Sequence, residues 1–232
     1  MSVTGIVAAL TAEARTLGPV QQTGPDVDTL PDGDLLVISG MGPQAATRAA
    51  LALVAAGARN LLSFGMAGAL DPQLTAGTVL LAERVVDGSG MAHPTFGPWR
   101  ERLAMMAAAR VVVGGCLLSV AQPLITPAAK AQARSATGAC AVDMESFAIA
   151  SVAAQKRVNF AVARVIIDTA ADTIPPSVTG ATGPRGEVNV ARLAWGLLRA
   201  PADIPALLAL SGRYRAALAA LRYLGQRGVG LS

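Results

Sequence analysis

Aromatic side chains are nearly missing from this chain of 232 residues: four Phe, two Trp and two Tyr, or 3% of the total. That scarcity removes the stacking platforms with which proteins grip single-stranded nucleic acid, so no nucleic-acid partner is expected. Charge is sparse too, 15% against 53% hydrophobic residues. This is the opposite of a disordered composition, and predicts a large core of aliphatic and small side chains. The one histidine, His93, and two distant cysteines, Cys116 and Cys140, cannot assemble a zinc site, and neither metal nor cofactor is expected. The cysteines fall on different predicted strands and read as buried apolar residues in a reducing compartment. No basic stretch precedes an apolar one at the N-terminus, and Glu13 comes early, so no signal peptide is read. Residues 111–129 carry no charge, yet Gly114, Gly115, Gln122, Pro123 and Pro127 suit a strand and its turns better than a helix in lipid. The expectation is a soluble, cytoplasmic protein.

The charge that is present lies unevenly. From Ala191 onward six arginines (Arg192, Arg199, Arg213, Arg215, Arg222, Arg227) meet a single acid, Asp203, so the basicity behind the net charge of +4 belongs to the C-terminus. Two stretches there keep helical spacing: Val190, Leu193, Ala194, Leu197 and Leu198, then Leu207, Leu210, Tyr214, Leu218 and Leu221. They predict an amphipathic helix pair joined at Pro201, either packed on the core or lying at a membrane surface.

Residues 1–180 read as an α/β core, and 187–224 as a helical tail of the same single domain. Strands are predicted at Val3–Ala9, Leu35–Ser39, Asn60–Phe64, Thr78–Val85, Val111–Val120, Ala139–Val142 and Phe160–Ile167. Helices are predicted to start at Leu10–Ala14 and to run near Gln44–Ala56, around Pro94–Ala109 and over Ser146–Gln155. This alternation predicts a three-layer α/β/α sandwich with a mostly parallel mixed sheet. Residues 16–33 read as turns, and His93 sits in a Gly/Pro loop able to cover a ligand.

Three acids follow predicted strands: Glu13, Glu145 and Asp168. In open α/β sheets that edge is where ligands bind, and a carboxylate there costs several kcal/mol of desolvation unless partners or function offset it. Gly40-Met41-Gly42-Pro43-Gln44-Ala45 fits a dinucleotide fingerprint, but no acid stands near Arg59–Met66 to hold a ribose hydroxyl. Close backbone approach to a different ligand, or tight turning, then explains these glycines.

Five segments, in order, resemble the purine nucleoside phosphorylase and methylthioadenosine nucleosidase superfamily: Gly5–Leu10 with Glu13, Ser39–Gly42, Gly65–Gly68, Val142–Glu145 and Arg164–Asp168. Asp-Met-Glu-Ser at 143–146 and the Leu/Pro/Arg-rich tail are most similar to the hopanoid-associated phosphorylase group. The resemblance implies cleavage of an N-ribosidic bond with release of adenine, the lipid nucleoside adenosylhopane being the implied substrate. Alternatives are a methylthioadenosine or adenosylhomocysteine nucleosidase, a purine nucleoside phosphorylase, and a non-enzymatic nucleotide-binding module. By resemblance Asp168 is the general acid to the purine and Glu13 the base to water. Glu145 grips the ribose hydroxyls, Met144 packs on the sugar, Met66, Ala67 and Gly68 form the turn at the nucleophile, and Leu124 and Ile125 flank the base. Gly42 and Arg48 are the phosphate candidates if phosphate is co-substrate. The family has a hydroxyl residue at Met66 and serine at Ile167, so hydrolysis is favoured and Asp168 needs another orienting partner. A homo-oligomer, with peripheral contact at the inner membrane surface, completes the expectation.

Overall fold

Small residues at every third or fourth position of two helices, and apolar residues on both faces of the strands between, build the layers of this protein. The computed structural model describes residues 2–22, 26–107, 110–174, 183 and 204–231. Strand β1 (Thr4–Ala8) lies between β4 (Leu35–Ile38) and β5 (Asn60–Ala69), parallel to both, and β5 pairs in parallel on its other edge with β12 (Asn159–Asp168). Two-residue strands β2 (Gln21–Gln22) and β3 (Asp28–Thr29) extend one edge within the region read as turns. Beyond β12 stand β6 (Val79–Leu81), antiparallel to it, and β9 (Val111–Val113), parallel to β6. Past the end of β1, β5 pairs antiparallel with β11 (Ala141–Asp143), which leads through β10 (Cys116–Ser119) and β7 (Arg84–Val86) to β8 (Ala92–Pro94).

Alternation along the strands separates two cores. Val7, Leu61, Phe160, Val162 and Ile166 face helices α2 (Pro43–Ala55) and α5 (Ser146–Lys156), whose Ala46, Ala49, Ala50, Ala150 and Ala153 permit close packing. Ile6, Leu62, Phe64, Ala161 and Val165 face α1 (Thr11–Ala14), α3 (Gly97–Met106) and α6 (Ile204–Gly225). The result is the α/β/α sandwich with a mixed sheet.

Several boundaries differ from the sequence reading. The stretch Asn60–Phe64 does not stop at the glycines; β5 continues to Ala69. The segments read as Thr78–Val85 and Val111–Val120 each split in two, the second at Gly114 and Gly115, which have φ 108° and 78°. Their halves join different neighbours, β6 with β9 and β7 with β10. Helix α4 (Pro127–Thr137) is not among the elements expected from the sequence; Thr126 caps it by accepting the Ala129 N–H (3.2 Å), and Pro127 opens it. The first helix of the tail pair lies outside the described residues.

The rest of the tail is integral to the fold. Ala217, Leu221 and Leu224 of α6 are fully buried, the Trp99 indole donates to Val229 O (2.8 Å), and Leu231 N donates to Thr4 Oγ1 (3.0 Å). From Tyr214 onward the apolar stripe of α6 is thus engaged by the core, while Leu208 is exposed. No helix among the described residues is long and apolar enough to cross a membrane.

Candidate active site

The site opens where β1 ends. Beyond Ala8 the edge of β5 loses its partner, and β11 takes it up only at Gly68. Between them the Met66 N–H lacks a strand acceptor, and Glu13 supplies one with Oε1 (2.8 Å). The other carboxylate oxygen of Glu13 accepts from Leu10 N (2.9 Å), closing a capping box on α1 that fixes the side chain. Burial raises the Glu13 carboxyl above its ordinary pKa, against Arg164 and the backbone donors, which favour the anion.

Arg164 belongs to the apolar run of β12 and is 1% exposed. Its guanidinium meets Asp143 (2.8 Å) and Glu145 (3.4 Å), donates to Ser63 Oγ (2.8 Å) and reaches Met66 O (3.3 Å). Burial opposes that charge; Asp143, Glu145 and Glu13 outweigh it and hold the pKa of Arg164 above its usual value. Asp143 also accepts the hydroxyls of Ser119 and Ser146, so it anchors the cluster. Glu145, at the N-terminus of α5, accepts the Gly42 N–H with Oε1 (2.9 Å). Burial lifts its pKa to about 7, Arg164 pulling it down and Asp143 pushing it up.

Gly65 makes this cluster possible. A Cβ there would lie 2.6 Å from Glu13 Oε1 and 2.7 Å from Arg164 Nη1, and its φ is +153°. The glycine expected to turn the chain instead leaves room for two charged side chains over an extended strand.

Asp168 closes β12. The parallel register slips between Ile166 and Asp168, a bulge that re-aims the carboxylate over Gly68, whose missing Cβ would lie 3.1 Å from Oδ1. Its partner is Lys130 of α4, which donates to Oδ2 and to the carbonyls of Thr169 (2.8 Å) and Asp172 (3.2 Å). Burial raises the Asp168 carboxyl, and Lys130 opposes that rise.

A pocket of about 210 Å³ gathers these groups. Glu13, Asp143, Glu145, Arg164 and Asp168 form its polar wall; Leu10, Met41, Met66, Leu124, Met144, Ile167, Ile174 and Tyr214 are among its apolar lining. Of the residues singled out from sequence, Met66, Ala67, Gly68, Leu124 and Met144 line it with the three acids. Ile125 does not; its carbonyl accepts from Ile174 N (2.9 Å) and so positions a residue that does. Arg48 is exposed and lines a separate cavity with Gly42 and Gln122. His93 is not in a covering loop: it lies on β8, its ring 5.0 Å from that of Phe147 and Nε2 3.1 Å from Ser151 Oγ. No cluster of three or more His, Cys, Asp or Glu among the described residues is placed to hold a metal ion.

The sequence profile of the phosphorylase superfamily matches residues 34–199. The chain belongs to the phosphorylase superfamily. It is therefore an enzyme of the nucleosidase and nucleoside phosphorylase kind. No curated relative matches its sequence. Among solved structures, the 5′-methylthioadenosine/S-adenosylhomocysteine nucleosidase of Neisseria meningitidis, in complex with methylthio-immucillin-A, is similar at TM-score 0.70 and 18% identity, covering 97% of each chain. The Helicobacter pylori nucleosidase of the same name is similar at TM-score 0.65 and 20% identity over 74% of this chain and 87% of that one. Futalosine hydrolase of Helicobacter pylori follows at 0.66 and 17%, over 96% and 97%. At such identities the likeness establishes the fold.

Sequence reasoning assigns no part to four residues of this candidate site: Lys130, Asp143, Arg164 and Tyr214. A signal exists for two. Arg164 is the one charge inside the run Phe160–Ile167, and Thr126-Pro127 announces a helix carrying a lone lysine. Nothing local marks Tyr214, which α6 brings over the pocket while Arg213 pairs with Asp172 at 2.5 Å.

Proposed function

We propose that the protein hydrolyses the N-ribosidic bond of an adenosyl nucleoside and releases adenine. Leaving adenine carries the electron pair of the broken bond, so a proton delivered to its N7 lowers the barrier; the buried Asp168 is suited to hold that proton. Glu13, fixed by two backbone donors, takes the proton of the attacking water. Glu145 accepts from the ribose hydroxyls, and Met144 and Met66 pack on the sugar.

One observation carries hydrolysis over phosphorolysis. The backbone N–H groups of Gly42 and Met66, the donors an anion at this edge would need, already serve Glu145 and Glu13. Phosphate would have to displace a carboxylate from each and then sit beside it, against Coulomb repulsion. Arg164 offers no relief, since Asp143 and Glu145 hold it.

The apolar rim favours an apolar 5′ substituent. A pocket of about 210 Å³ suits a nucleoside, and in this reading the lipid of adenosylhopane extends out of it along apolar lining such as Leu10, Met41 and Tyr214. In this reading the enzyme works as a homo-oligomer at the inner face of the membrane, on which the lipid substrate is presented. Two measurements test the proposal. Asp168→Asn is expected to lower adenine release by about 10²–10⁴-fold, and an unimpaired variant refutes the assignment. Along a series of 5′-alkylthioadenosines, kcat/KM is expected to rise roughly fourfold per buried methylene, from about 0.8 kcal/mol each. A flat series returns the enzyme to water-soluble nucleosides such as 5′-methylthioadenosine.

A further inference from the structure

The lysine beside Asp168 is unexpected in a site that delivers a proton. Lys130 is 1% exposed, and its ammonium has three N–H bonds facing three acceptors: Asp168 Oδ2, Thr169 O and Asp172 O. All three N–H bonds are thus satisfied, as a buried cation requires. The first-turn position on α4, set by the Thr126 cap and Pro127, aims the side chain at the loop that follows β12.

We propose that Lys130 is the positioning residue of the general acid, orienting the Asp168 carboxyl through Oδ2 and receiving the carboxylate formed when its proton leaves. This rests on the proposed reaction. In that step the Asp168 O–H bond breaks and the N7–H bond of adenine forms. The C1′–N9 electron pair goes to the base, water oxygen bonds to C1′, and the water proton goes to Glu13. Charge neutralised at N7 reappears on Asp168, one hydrogen bond from an ammonium, where a charge-assisted contact is worth most. Ile167 has no hydroxyl to orient its neighbour, and the lysine takes that task from a different helix. Burial lets Asp168 keep a proton, and Lys130 stops it from becoming too weak an acid to release it. The other charges facing Asp168 are Asp172 in its own loop and Arg213 on α6, with Glu13, Glu145 and Arg164 across the pocket.

Lys130→Met, Lys130→Gln and Lys130→Arg separate positioning from mere structure. The probes are 5′-methylthioadenosine, whose base needs a proton to leave, and p-nitrophenyl riboside, whose phenolate does not. Lys130→Met is expected to lower adenine release by about 100-fold and nitrophenol release by less than about threefold. The alkaline limb of the adenine pH profile moves up, as does the midpoint of Asp168 in a carbon-13 titration of the free protein. Lys130→Arg restores most of the rate. Lys130→Gln supplies the same comparison should the Met variant fail to fold. Equal losses on both probes, or an unmoved Asp168 titration, overturn the inference alone. A wild-type chain that releases neither product overturns the proposed reaction, and this inference with it.

Discussion

Replacing Gly65 by alanine asks whether two buried charged side chains depend on one missing methyl group. The added Cβ would stand 2.6 Å from Glu13 Oε1 and 2.7 Å from Arg164 Nη1, well inside van der Waals contact. Neither neighbour can retreat freely. Glu13 is tied to Leu10 N and Met66 N, and Arg164 to Asp143 at 2.8 Å and Ser63 at 2.8 Å. Overpacking of this kind costs about 1–3 kcal/mol, and a side chain at φ +153° adds a backbone cost of about 1–3 kcal/mol. Gly57→Ala is the control, since Gly57 has φ +105° and a methyl group added there would meet nothing within 4 Å. Gly65→Ala is therefore expected to melt lower than Gly57→Ala by roughly 2–12 °C, at about 2–4 °C per kcal/mol for a chain of this size. Because Glu13 must shift, adenine release should fall about 100-fold, whereas Gly57→Ala stays near wild type. Thermal unfolding and chromatographic adenine release measure both. A Gly65→Ala protein that melts with the control and keeps its kcat would refute the close packing at Gly65.

Glu145 makes stability depend on pH in a direction opposite to the usual carboxylate. Its folded pKa of about 7 lies above the ordinary glutamate value of 4.5, so the folded state binds the extra proton and stability falls as pH rises from 4.5 to 7. The full effect is on the order of 3 kcal/mol, and urea unfolding at pH 5 and pH 8 should show a smaller decline in Glu145→Gln than in wild type. Leu221→Ala, in the buried stripe of α6, should cost about 2–5 kcal/mol in the same assay, because the tail belongs to the core. A loss confined to lipid-substrate turnover, with unfolding unchanged, would instead make α6 a peripheral attachment.

The acids of the site were legible in sequence because carboxylates at strand ends are costly without a purpose, and Glu13, Glu145 and Asp168 each follow an apolar run. So was the layered fold, since helical and strand periods alternate cleanly over most of residues 3–172. What was hidden depends on pairing across the chain. Whether Gly65 turns or extends is decided by β12 and β11 flanking β5, which no local pattern specifies. The division of Val111–Val120 follows from β9 and β10 joining different strands. Arg48 reads as a phosphate ligand from proximity to Gly42, yet the helix rotates it to the outside and Glu145 arrives from 103 residues away to take the Gly42 amide. Lys130 escapes because an alanine-rich helix with a capped start reads as the turns after a strand.

In the proposed reaction water, not phosphate, attacks the ribose. The measurement is adenine release from 5′-methylthioadenosine and a 5′-alkylthio homologue in oxygen-18 water, with and without inorganic phosphate, with mass analysis of the sugar. The structure predicts the same rate in both buffers and one heavy oxygen at C1′ of the free ribose product, because the Gly42 and Met66 amides are occupied by Glu145 and Glu13. A rate that rises with phosphate, together with a sugar 1-phosphate lacking the label at C1′, would contradict it.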